Sequence, residues 1–234
     1  SKIKHPSEFA TLSALKHVIE LAKNAENRKL NLEERSALEN IHRDFMKNRE
    51  LLNNVLDDTQ TVLEAGLEIL NHSGNKEKPS NENIFNTWLN DIYNSTPYYP
   101  QNGFLDDLLS SGKLGIFKNV ELRNLLSSWR PKVNVLSVSF NNHDQNEDIL
   151  NKYILENGSW LNADQVTKEN RNIKLPVSGF ERDNRSLLNS LYFENLVENT
   201  VISADNYYSF QTQTLKLLNE IITVLENEIE SHHE

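Results

Sequence analysis

Seven histidines and no cysteine bound the chemistry open to this 234-residue chain. Without cysteine there is no disulfide framework, no thiolate nucleophile and no cysteine-ligated zinc. Five histidines are scattered and make no His-Glu-x-x-His pair, and the adjacent His232 and His233 do not converge on one ion. The run HRDFMKN (His42–Asn48) opens like the catalytic loop of a protein kinase. It stops there, because Arg49 occupies the place of the magnesium-binding Asn and no glycine-rich loop or Asp-Phe-Gly accompanies it. Ile41 and Phe45 belong to an apolar stripe, so the run reads as a helix face. DQNED (Asp144–Asp148) alternates carboxylates as a calcium loop does. Ile149 replaces the required glycine and Leu155 the bidentate Glu, which leaves a solvated acidic linker. No serine sits in a nucleophile elbow. No catalytic residue, metal site or cofactor is assigned. Trp88, Tyr98, Tyr99 and Trp129 form an aromatic set with two readings: core with polar tips at the rim, or the lining of a ligand pocket between helices.

The formal charge of −10, from 34 acidic and 24 basic residues, excludes nucleic acid as a partner, since phosphate-backbone binding needs a concentrated basic surface. The 33 asparagines read as the signature of an AT-rich genome, and at that frequency four glycosylation sequons (Asn71, Asn94, Asn157, Asn184) arise by chance. No stretch reaches the ~18–20 apolar residues of a membrane span, so the chain as given is soluble.

Helices must position whatever function exists. Between Pro6 and Gly66 there is neither proline nor glycine. Leu12, Leu15, Val18, Ile19 and Ala22 form one half of a helical wheel over Ser7–Ala25, broad enough to call for packing on the bundle or on another copy. From Leu38 a heptad pattern follows: Leu38, Ile41, Phe45, Leu52, Val55, Val62 and Ile69, interrupted by Asn48, Thr59 and Gly66. SGNKEKPSN (Ser73–Asn81) is a loop, and Ser80 or Asn81 caps a helix carrying Ile84, Phe85, Trp88, Leu89 and Ile92 on one face. A Phe104–Ser111 helix ends at Gly112, placed for a left-handed cap. Asn119 then caps a helix that continues past Pro131 with a kink. A short helix around Ile149–Ile154 precedes a surface excursion from Gly158 to Gly179. Leu187–Val197 suggests one more helix, and Ala204–Ile229 a long last one. The expected fold is all-α, an elongated multi-helix bundle with long N-terminal and C-terminal helices. Residues 1–31 form an amphipathic helix and 32–234 a single helical domain.

Three segments resemble a family of uncharacterised bacterial single-pass membrane proteins, defined only as a domain of unknown function. AENRKLNLEERSALENIHRDFMKN is similar to the family's Arg-Lys segment and the helix after it. YYPQNGFLDDLLSSGKLGIFKNVELRNLLSSW is similar to its Gly-centred turn before an Asn-capped helix ending in Leu-x-x-Trp. LLNSLYFENLVENTVISADNYYSFQTQTLKLLNEIITVLENEI matches its closing helices. The resemblance implies membrane attachment in the family, with the helical part on the extracytoplasmic side of the inner membrane. It implies no activity. At the position of the family's span, this chain carries Lys16, His17, Glu20 and Lys23. Charged residues cost ~2.5–3.5 kcal/mol each at the centre of a span. The leading expectation is a non-enzymatic envelope domain acting through a protein partner or self-association, marked by an exposed apolar strip. The alternatives are a small-molecule sensor with a pocket between helices, and a helical enzyme.

Overall fold

A computed structural model describes the backbone of residues 6–231 and the side chains of residues 13–231. The side chain of Leu12 and the His232–His233 pair lie outside the described residues. Helix α1 runs from Pro6 to Asn71, α2 from Glu82 to Asp91, α3 from Gly103 to Ser110 and α4 from Val120 to Asn157. The short α5 (Trp160–Ala163) and the long α6 (Leu191–Ser231) complete the α-helices. Single 3₁₀ segments cover Lys113–Ile116, Asp164–Asn170 and Asn184–Asn189, and no strand occurs among the described residues. The fold is all-α, as the periodicity predicts, with α1, α4 and α6 packing as a bundle.

The chain divides into two compact units, and each long helix gives part of its length to both. One unit holds α1 up to Met46, Asn102–Ser127 and α6 from Glu220 on; the other holds Lys47–Gln101 and Ser128–Asn219. In the first, Leu38, Ile41 and Phe45 of α1, Leu122 and Leu126 of α4, and Ile221, Ile222 and Leu225 of α6 are all buried. Glu34, only 2% exposed, accepts the Lys118 backbone N–H at 2.7 Å and lies 2.9 Å from the Lys118 ammonium, which fixes the approach to α4. Asn119 then caps that helix by accepting the Leu122 N–H at 3.0 Å. Just before it, Gly112 has φ 68° at the end of α3, the left-handed conformation expected there.

In the second unit the heptad positions Leu52, Val55, Val62 and Ile69 are buried. The polar interruptions carry tertiary contacts. The Asn48 carboxamide accepts the Gln101 N–H at 2.6 Å and donates to the Gln101 carbonyl at 3.0 Å, pinning the proline-rich connector. Thr59 donates to the Val55 carbonyl and accepts from Gln211 of α6 at 2.8 Å. Gly66 lets α6 approach, since a Cβ there would run into the Cγ2 methyl of Val201.

The amphipathic N-terminal stretch runs on into the heptad stretch as one helix, and no described side chain from Ser13 to Glu33 is buried on the chain's own bundle. The structure corrects three expectations. Asp144–Asp148 is helical rather than a linker, and Ile149–Ile154 belongs to the same α4, because the apolar period never breaks. Leu187 and Leu188 lie buried in a 3₁₀ segment, and the final helix begins afresh at Leu191, itself 72% exposed. The 158–179 excursion, exposed or half-buried apart from Ala163, is tied down by asparagines. Asn86 and Asn90 of α2 donate to the carbonyls of Asn162 and Ala163, and the fully buried Asn184 carboxamide bonds both Asn86 and Ser159.

Candidate functional site

The four aromatic candidates do not line one pocket. Tyr98 and Trp129 meet edge-on at 6.5 Å between ring centroids, both buried, and the Tyr98 hydroxyl donates to the Asn48 carbonyl at 3.1 Å. Tyr98 also borders a recess of about 60 Å³ with Tyr99, which is 78% exposed. Trp88 lies elsewhere, 4.9 Å from the His72 ring, on the wall of a separate hollow of about 510 Å³ shared with Glu64, Glu68 and Asp91. Burial raises the Asp91 carboxyl above its usual range.

A different cluster sits between α4 and α6. His143 is fully buried, its Nδ1 3.0 Å from Ser203 Oγ and its ring nearly parallel to Tyr207. Its Nε2 stands 3.0 Å from Glu147 Oε1, close but poorly aligned for a hydrogen bond. Ser95 donates to the same Glu147 oxygen at 2.9 Å, while Ser203 donates its own proton to the Thr200 carbonyl. The Tyr207 hydroxyl donates to the Thr96 carbonyl at 3.1 Å, and burial pushes that phenol up to about 12. Burial, with the nearby Glu147 and Asp148 charges, likewise raises the Tyr93 phenol.

A serine, histidine and carboxylate in line invite comparison with a hydrolase. Yet Ser203 lies inside α6, where backbone N–H groups are spent on the helix and none is free to hold an oxyanion. What the cluster does is fasten α4 to α6 by polar contacts in an apolar setting. Sequence reasoning missed it by reading the acidic run as solvated. The signal was present: Leu136, Phe140, His143, Glu147, Leu150 and Ile154 recur at alternating spacings of four and three, which puts the histidine and the glutamate on the buried face.

On the outer side of Ser203 the same two helices form a groove of about 470 Å³. Residues 134, 135, 138, 139 and 142 of α4 make one wall, and 203, 206 and 210 of α6 the other. These are helical-face spacings in both cases. Among the described residues no group of three or more His, Asp or Glu side chains is placed to hold a metal ion. None of the described helices is long and apolar enough to cross a membrane. The chain matches no protein-family model, no curated protein and no solved structure.

Proposed function

We propose that this chain is a non-enzymatic helical interaction domain, by resemblance the extracytoplasmic part of a bacterial envelope protein, that pairs with a second copy through the N-terminal third of α1. One observation carries the reading. Leu15, Val18, Ile19 and Leu21 are 53–61% exposed on a helix whose side chains are all exposed from Ser13 to Glu33. A helix with no tertiary packing is marginal in water, so this segment gains most of its stability from a partner. The stripe is not a continuation of the bundle seam. Leu15 precedes Leu38 by 23 residues, which at 100° per residue turns the two faces about 140° apart.

Charge favours a second copy over other occupants. The whole chain carries −10, but the exposed segment holds four basic residues (Lys16, Lys23, Arg28, Lys29) against three acidic ones (Glu20, Glu26, Glu33). Like segments therefore approach without the repulsion the rest of the molecule would impose. Each apolar side chain buried fully contributes about 1.5–3 kcal/mol. Four per copy suffice to offset an association cost of about 4–15 kcal/mol.

Sedimentation velocity across a concentration series tests the reading. The chain should move from monomer to dimer as concentration rises, and Leu15→Glu/Ile19→Glu should stay monomeric with unchanged helical content. A wild-type chain that is monomeric throughout, or a variant that dimerises equally, overturns it.

A further inference from the structure

Two asparagines in this chain are followed by glycine, Asn102 and Asn157. Such a pair is chemically open, because a glycine nitrogen with no neighbouring Cβ to crowd it can attack the asparagine's own Cγ. The structure treats the two pairs differently. Asn157 closes α4, and the backbone after it is pinned. The Gly158 N–H donates to the Ile154 carbonyl at 2.8 Å, and the next N–H, of Ser159, donates to Asn184 Oδ1 at 2.8 Å. The Asn157 carboxamide itself donates to the Tyr153 carbonyl at 3.0 Å. A Cβ on Gly158 would lie 3.2 Å from both the Ile154 carbonyl and Leu187 Cδ1. The attacking nitrogen is spent there, and the backbone around it has no room to turn.

At Asn102 the nitrogen is available and the backbone is open. Gly103 is the first residue of α3, so its N–H has no intrahelical acceptor, and it donates to no described residue. Gly103 is exposed, and a Cβ there would meet nothing within 4 Å. The Asn102 side chain makes no cap bond to the helix. Bringing the nitrogen to Cγ requires rotation about the Asn102 ψ, which is 4° in the structure. That rotation gives up one backbone bond, from the Asp106 N–H to the Asn102 carbonyl at 2.8 Å. The bond belongs to the first turn of an eight-residue helix, where fraying costs least.

We propose that Asn102 is a site of spontaneous deamidation in the folded chain, and that Asn157 is protected by the fold. The Gly103 nitrogen, giving its proton to solvent base, forms a bond to Asn102 Cγ. The Cγ–Nδ2 bond breaks, and Nδ2 takes up a proton and leaves as ammonia. Water then opens the cyclic imide at one of its two carbonyls, which restores the Gly103 N–H and leaves aspartate or isoaspartate at position 102. One amide is exchanged for one carboxylate, with water as the only co-reactant. An aspartate caps a helix as well as asparagine does, and its charge suits the helix N-terminus. An isoaspartate carries an extra methylene into the main chain directly ahead of α3. The change is one-way, adds a negative charge at a defined place and does not depend on pairing through α1.

Peptide mass spectrometry tests this on the full chain, incubated at mildly alkaline pH and sampled over time beside a chain unfolded in guanidinium chloride. In the folded chain, position 102 should exchange amide for acid at least about tenfold faster than position 157, the factor set by about 1.4 kcal/mol of hydrogen bonding that must open at Gly158 and Ser159. Aspartyl and isoaspartyl forms should both appear at 102. In the unfolded chain the two positions should react at similar rates. Gly103→Ala adds a methyl at an open position, so it should leave the fold intact and slow the reaction at 102. A smaller ratio in the folded chain overturns the proposal, as does the same ratio in denaturant. Equal rates at 102 in the natural chain and in Gly103→Ala also overturn it, since direct hydrolysis of the carboxamide would then be the route.

Discussion

Replacing Gly66 by Ala sets two effects of known sign against each other. In an unhindered helix interior, Ala is more favourable than Gly by about 0.8–1.0 kcal/mol. At this position the new methyl runs into Val201 Cγ2, with Val201 Cβ at 3.7 Å and Ile92 Cδ1 at 3.6 Å. Val201 is 8% exposed and β-branched, so it holds one rotamer in α6 and cannot swing aside. Overpacking of this kind costs about 1–3 kcal/mol. Gly66→Ala should therefore destabilise by about 1 kcal/mol in the natural background. In a Val201→Ala background the obstacle is gone, and the same substitution should stabilise by about 0.8–1.0 kcal/mol. Urea unfolding followed by tryptophan fluorescence reads this cleanly, because Trp88, Trp129 and Trp160 lie in the same unit as Gly66 and Val201. If Gly66→Ala has the same sign in both backgrounds, the close approach of the two helices is not what the glycine serves.

Asn48→Ala should cost about 2–3 kcal/mol, since it strands both the N–H and the carbonyl of Gln101; a loss under about 0.5 kcal/mol in urea unfolding would show that water replaces the clamp. Gly112→Ala should cost about 1 kcal/mol from backbone strain alone, because a Cβ there meets nothing within 4 Å. An unchanged urea midpoint would refute it. Alkaline titration should expose the buried phenols of Tyr93, Tyr98 and Tyr207, all raised by burial, the last to about 12. The folded chain keeps protons that the unfolded chain begins to lose near pH ~10, so stability should fall as pH rises above that value. The urea midpoint should be level from pH 7 to 9 and drop beyond 10, and a level midpoint up to pH 12 would refute the assignment.

Much of the fold was legible because apolar spacing is written locally. The heptad from Leu38 to Ile69, the Asn119 cap and the left-handed Gly112 all appear as read, and of Ser80 and Asn81 it is Asn81 that caps α2. What escaped were polar residues whose partners are far along the chain. Asn48, Thr59 and Gly66 look like defects in a stripe until Gln101, Gln211 and Val201 are brought beside them. His143 and Glu147 were hidden because a carboxylate run suggests solvent even when its spacing lies on a buried face. The 3₁₀ segment at Asn184–Asn189 was read as helix because Leu187 and Leu188 continue the apolar pattern. For the groove, the spacing of Val135, Val138 and Ser139 gave no sign, since a partly exposed apolar face and a core face have the same period. The aromatic set pointed to pockets by residue type alone, and type does not say which rings meet.

Pairing through α1 is tested most directly by hydrogen exchange at the amides of residues 13–33 as a function of protein concentration. A helix covered by a second copy should show protection that rises with concentration, and Leu15→Glu/Ile19→Glu should abolish the rise. Exchange in this segment at near-unfolded rates, unchanged from dilute to concentrated protein, would contradict the account.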